Sequence, residues 1–456
     1  MAFLNAMAEA KDINDSLQFL RYFEKYTESQ DLLTRVQRKL ESNPERLELR
    51  GETLPEEEFR ILASLEPLSR VRTLDLTESG LGTPGLMHLC ASPHLASLET
   101  LILGNNNVDD DGVFYLSKVS TFANLKCLDL SANEISPMGM KLLGRASGMV
   151  QLESLDLAYN RIEAKGIQAL AESALGQGLR RLNLTDTGMG DDGLLLFAQK
   201  ARMARLEHLN LADNHLTDRY LEAFASCDGF PNLRQLILDN NHLGDDGVYG
   251  LAGGVLGRQL EELRLKCNGL TADAAISIAR SPYLTRLKKL DLNNNDVRAE
   301  GTRALAQSEN IQFLEALDLG ENRLNAEGAA ALADSPYLTR LRELRLNNDN
   351  ITDDGVTALA ASTRLPRLEA LYLEQDNWIH ASGARAIAQS ENFKNLKTLV
   401  LGLNVIGDQG ARYLAESPHL ANLVFLNVIG NKLTAAGEDA LRFSEHLKNL
   451  KSLELV

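Results

Sequence analysis

Leu152-Glu-Ser-Leu155-Asp156-Leu157-Ala-Tyr-Asn160-Arg-Ile162-Glu-Ala-Lys-Gly166-Ile167-Gln-Ala169-Leu170-Ala171 is the stretch from which the fold can be read. Leu155, Asp156 and Leu157 alternate with a period of two, which describes a short strand with leucines inward and Asp156 outward. Asn160 follows where the chain must turn. Its amide can satisfy backbone groups of adjacent coils that a buried bend would leave unpaired. From Gly166 the spacing becomes helical, with Ile167, Leu170 and Ala171 on one face. The unit is a strand, a bend and a returning helix.

The second leucine of the pair recurs at Leu76, Leu103, Leu130, Leu157, Leu184, Leu211, Leu238, Leu265, Leu292, Leu319, Leu346, Leu373, Leu401, Val428 and Leu455, every 27 residues save one step of 28 between Leu373 and Leu401. A weaker first copy stands at Leu47-Glu48-Leu49. A fixed period of this size marks a stacked-repeat architecture, in which no unit buries its leucines alone and neighbours bury a continuous core. The expected fold is an α/β solenoid. Helices are wider than strands, so a parallel sheet lines the concave face of a horseshoe and helices take the convex face.

The pattern LxxLxLxxNxLxxxGxxxLA over residues 47–456 resembles leucine-rich repeats of the ribonuclease-inhibitor-like class. That class includes ribonuclease inhibitor, the Ran GTPase-activating protein and the sensor arms of NOD-like receptors. The resemblance is specific for fold; for function it implies only a surface for partners, since the class serves unrelated tasks. It leaves open a GTPase-activating or GTPase-regulating role like that of the Ran activator, and a sensor arm of a larger signalling protein.

The chain is read as two parts: residues 1–45, a helical N-terminal cap, and residues 46–456, an array of about fifteen regular repeats after a degenerate first one. In the first part Leu17, Leu20 and Phe23, then Leu32, Leu33, Val36 and Leu40, lie at helical spacing, and Asp31 can start the second helix. The formal charge of −16 and pI near 5.1 argue against nucleic acid, whose phosphates need clustered cations. Cys90, Cys127, Cys227 and Cys267 show no metal spacing and fall in different repeats, so free thiols in a reducing compartment are expected. Neither a signal peptide nor an apolar run of membrane length is visible, and the expected location is cytoplasmic.

No Walker loop, HExxH or CxxC occurs. The acidic doublets Asp110-Asp111, Asp191-Asp192, Asp245-Asp246 and Asp353-Asp354 precede helices, which points to helix capping rather than calcium. Catalytic residues, cofactors and metal are therefore not expected, and the chain reads as a non-enzymatic scaffold for a protein partner.

Repeat arithmetic places the outward strand residues. From Asp129 to Asp239 they are polar and mostly acidic; from Glu262 to Arg345 they mix Arg264, Lys266, Lys289 and Arg345 with acids. Tyr372, Val400, Leu403, Phe425 and Ile429 then crowd apolar groups into three successive repeats, as binding sites do. Beside them, Asp376-Asn-Trp378-Ile379-His380 carries the extra residue and the single tryptophan. Either Trp378 or Ile379 fills the buried place after the bend, and the other is pushed outward. The expected partner-binding set is Tyr372, Trp378, Val400, Leu403, Phe425, Ile429, Arg345 and Arg264, in the C-terminal third of the concave face. The chain closes on Leu453-Glu454-Leu455-Val456, a strand without a following helix. That edge is expected either to pair with a second copy as a homodimer or to be shielded by Phe443, His446 and Leu447 in a monomer.

Overall fold

The computed structural model describes residues 31–455. The described residues divide into two units, one of residues 31–162 with Ser173–Leu179, the other of Glu163–Glu172 with residues 180–455. In the first, β1 (Arg46–Glu48), β2 (Thr73–Asp75), β3 (Thr100–Ile102), β4 (Cys127–Asp129) and β5 (Ser154–Asp156) pair in parallel, each with the next. In the second, β6 (Arg181–Asn183), β7 (His208–Asn210), β8 (Gln235–Ile237), β9 (Glu262–Arg264), β10 (Lys289–Asp291), β11 (Ala316–Asp318), β12 (Glu343–Arg345), β13 (Ala370–Tyr372), β14 (Thr398–Val400), β15 (Phe425–Asn427) and β16 (Ser452–Glu454) pair likewise. The register is that of the repeat: Leu263 lies beside Leu290, and Leu290 beside Leu317.

Each strand holds one leucine at its centre, and from β1 to β14 the leucine that follows the strand is also buried, as at Leu263 and Leu265; at β16 Leu453 and Leu455 are half-buried. A returning helix such as Asn325–Ala333 buries Gly328, Ala329, Leu332 and Ala333 against them. Each fully buried leucine contributes about 1.5–3 kcal/mol relative to exposure, and the small residues let the helices approach the sheet.

In the first unit residues 31–42 are helical, with Leu32 and Val36 buried and Leu33 and Leu40 half-buried. Asp31 pairs with Arg35 one turn later, and Lys39 reaches Glu52 at 2.6 Å. Leu17, Leu20 and Phe23 lie outside the described residues.

The bend is held by an asparagine ladder. Asn133 Nδ2 donates to the carbonyls of Leu103, Leu130 and Ser131, while its Oδ1 accepts from the N–H groups of Asn106 and Val108 one coil earlier. In the second unit Asn241 donates in the same way to Leu211, Leu238 and Asp239. A second link joins helix ends. Ser281 Oγ donates to Ala252 O at 2.6 Å, Ser335 to Ala306 O at 2.6 Å and Ser417 to Ala388 O at 2.5 Å.

The acidic doublets do cap helices, but not their own. Asp191 accepts from the N–H and hydroxyl of Thr217, Asp245 from those of Thr271, and Asp353 from the N–H groups of His380 and Gly383. Each carboxylate serves the helix one coil later. The reason is stacking: it places the start of one helix beside the start of the next.

Candidate interaction surfaces

Along β8–β13 the outward residues are held by their neighbours. Arg264 bridges Asp239 at 2.6 Å and Asp291 at 3.7 Å, and its Nε is buried without a hydrogen-bond acceptor. Lys289 pairs with Glu262 at 3.5 Å. Arg345 meets Glu343 at 2.6 Å and Asp318 at 4.0 Å, and its guanidinium lies 3.8 Å from the centre of the Tyr372 ring. Burial pushes the Asp318 carboxyl up to about 6, with the Asp291 charge adding to it and Arg345 opposing. Burial likewise raises Asp239, against the pull of Arg264. Arg264 and Arg345 are thus committed to internal pairs, which fixes their positions and leaves less charge to offer outward.

The apolar set separates into parts. Tyr372 and Phe425 are half-buried on neighbouring parts of the sheet, with Tyr372 beside Val400 and Phe425 beside Thr398. Val400 is only 4% exposed, a correction to its expected place in an exposed patch. Its short side chain sinks between Tyr372 and Asn427 on the flanking strands. Leu403 is 53% exposed just past β14, and its N–H donates to the carbonyl of half-buried Ile429.

Trp378 stands beyond the bend, off the strands, and is 55% exposed, whereas Ile379 is fully buried. The choice between them goes to isoleucine because Asn377 keeps its ladder place, donating to Leu346 O and accepting from the N–H groups of Asp349 and Ile351. The extra residue is therefore absorbed earlier than expected, between Leu373 and Asn377, where Gln375 and Asp376 both take left-handed backbone at φ 63° and 44°. At the last described coil Leu447 is buried, but Phe443 is 74% exposed and His446 is exposed. Those two side chains do not shield the final strand.

One feature escaped the sequence reading. The residue just ahead of each strand runs Glu45, Arg72, Glu99, Lys126 and Glu153 in the first unit, and Arg180, Glu207, Arg234, Glu261, Lys288, Glu315, Arg342, Glu369, Lys397, Val424 and Lys451 in the second. Acid and base alternate at every place until Val424. Glu99 binds Arg72 at 2.6 Å and Lys126 at 2.7 Å; Glu369 binds Arg342 at 2.8 Å and Lys397 at 2.6 Å. The lysine partners hold the carboxyls of Glu99, Glu261 and Glu369 below their usual range. Tabulating this one column by the repeat would have shown it, because each charge is unremarkable until set beside its neighbour a repeat away.

A family model described as Leucine Rich repeat matches residues 94–117, 123–144, 151–171, 179–198, 205–225, 231–252, 283–306, 310–333, 337–360 and 394–415. No curated protein matches the sequence. Among solved structures the chain is similar to an internalin from Listeria monocytogenes, at 20% identity and TM-score 0.50, with 82% of this chain and 94% of that one covered. A TLR13–ssRNA13 complex aligns at 20% identity and TM-score 0.49, over 89% of this chain and 64% of that one. The yeast Rad7–Elc1 complex aligns at 14% identity and TM-score 0.48, over 97% and 98%. The likeness to the internalin is one of fold. Among the described residues no helix is long and apolar enough to cross a membrane.

Proposed function

Because the chain is a leucine-rich-repeat protein, we propose that it is a non-enzymatic, cytoplasmic scaffold that binds a protein partner on the concave face of its sheet, mainly in the C-terminal third. Repeat arrays present extended surfaces rather than pockets, which suits a macromolecular partner. The observation that carries the localisation is the Arg345–Tyr372 stack, a preorganised arginine–aromatic pair beside half-exposed Phe425. Arginine and tyrosine dominate binding energy at interfaces, and side chains already fixed lose little entropy on binding.

Capture of partners from the source organism by the full chain, read by mass spectrometry, tests this. Partners held by the wild type should be lost when Tyr372 and Phe425 are changed to Ala, each change costing on the order of 2 kcal/mol or more. Asn210→Ala, on the other stretch of the face, should be near neutral. Equal losses from both sets would overturn the localisation.

A further inference from the structure

We propose that the chain has a second binding site, for a carboxylate side chain of an acidic peptide segment, where the acid–base column breaks at Val424. This surface lies just ahead of the strands, with Val424 next to Phe425 in sequence, and its test, a labelled peptide, does not depend on the partner reading above.

The column sets the expectation. Through fourteen successive repeats a Glu alternates with a Lys or Arg, from Glu45 to Lys397, so the place at 424 calls for an acid. Val424 stands there instead, half-buried and uncharged. Lys397 is then paired on one side only, with Glu369, and the Lys451 side chain has no hydrogen bond or ion pair to any described residue, its backbone N–H alone donating to Val424 O. Arg367, on the same surface, is likewise without a partner among the described residues. The break coincides with an open cavity of about 690 Å³ lined by Arg342, Arg367, Lys397 and Lys451, with Glu369 as its one acid. In a chain of net charge −16 this is a local concentration of positive charge.

The chemistry of the missing rung identifies the ligand. Two strand spacings, about 10 Å, separate the residues on either side of a rung. Glu369 fills such a gap between Arg342 and Lys397 with one carboxylate that binds both cations. Lys397 and Lys451 flank an equivalent gap, and a carboxylate arriving from outside would meet two cations already held by the repeat. Charge-assisted bonds of this kind are the stronger class, and valine beside them supplies an apolar wall for the methylenes of a glutamate. An extended acidic segment can add further carboxylates at Arg367.

The test uses the full chain and a fluorescein-labelled peptide of alternating glutamate and glycine, followed by fluorescence anisotropy at low ionic strength. The wild type should bind it, and added salt should weaken binding. Val424→Glu supplies the missing rung from within and should weaken binding about tenfold or more; it should fold, because Glu is what the column carries elsewhere. Lys451→Gln should weaken binding by a similar factor, while Lys126→Gln, in the unbroken part of the column, should leave it unchanged. Absence of peptide binding to the wild type would overturn the proposal, as would equal affinity in Val424→Glu. Inorganic phosphate bound in a Val424-sensitive way with no binding of the peptide would overturn the acidic-peptide assignment.

Discussion

Asp349 stands in the ladder place that Asn322 and Asn377 hold in the coils on either side. An asparagine there both accepts and donates, and a carboxylate can only accept. Asp349 Oδ1 does accept, from the N–H groups of Asn322 at 2.7 Å and Leu324 at 3.3 Å, but Oδ2 is buried with no partner. Burial pushes this carboxyl up to about 8, and a proton on Oδ2 would restore the missing donor. The sign follows from linkage. An unfolded aspartate titrates near pH ~3.9, so between about 4 and 8 folding must either take up a proton or bury a charge. The stability associated with this site is complete below pH ~4 and is lost as pH rises toward 8. Asp349→Asn should therefore stabilise the protein at pH 8 by about 1–3 kcal/mol, with the gain shrinking toward pH 4. Thermal melts of both proteins across that range decide it, and a gain independent of pH would show that the carboxyl is not the titrating group. By contrast Asn268→Ala should destabilise, since Asn268 Nδ2 serves the carbonyls of Leu238 and Lys266, and a harmless change would refute the ladder.

The helices starting at Pro137, Ala381 and Ala435 begin on a carboxylate from the coil before, and there that contact explains the glycine in the first turn. In the helix Ala435–Arg442, a Cβ built on Gly437 would collide with Asp408 Oδ1. The same carboxylate accepts from the N–H and hydroxyl of Thr434 at 2.8 and 2.7 Å. Glycine inside a helix is ordinarily unfavourable, so here close approach overrides propensity. Gly437→Ala should cost about 1–3 kcal/mol through overpacking, although alanine is the better helix former. The control is a double-mutant cycle: with Asp408→Ala in place the closest contact is gone and only the Asp408 Cα approach remains, so Gly437→Ala should cost clearly less. Equal costs in both backgrounds, read by denaturant melts, would place the strain elsewhere. The same contact shows why the doublets were legible as caps but not as caps of the next helix. Sequence order puts each aspartate beside its own helix, and only the stacking distance between coils hands it to the neighbour.

The asparagine ladder, the serine links, the aspartate caps and the column of ion pairs each join one coil to the next, and this governs both what could be read and how the molecule should unfold. The strand leucines, the bend asparagines and the burial of Ile379 or Trp378 could be inferred because each depends on positions within one repeat. Val400 could not be placed correctly because its exposure depends on Tyr372 and Asn427 beside it. The charge column was missed for the same reason. Contacts limited to neighbours also mean that stability approximates a sum of repeat and interface terms, so damage should spread by proximity along the array. Leu265→Ala, at a fully buried site, should cost about 2–5 kcal/mol because close-packed neighbours relax only partly into the cavity. Hydrogen exchange should then show amide protection falling most at β8, β9 and β10, whose hydrogen bonds meet around Leu265, and least at β15 in the same unit. A uniform loss of protection across β6–β16 would mean that the second unit opens all at once, and that the links between coils are strong enough to abolish its one-dimensional behaviour.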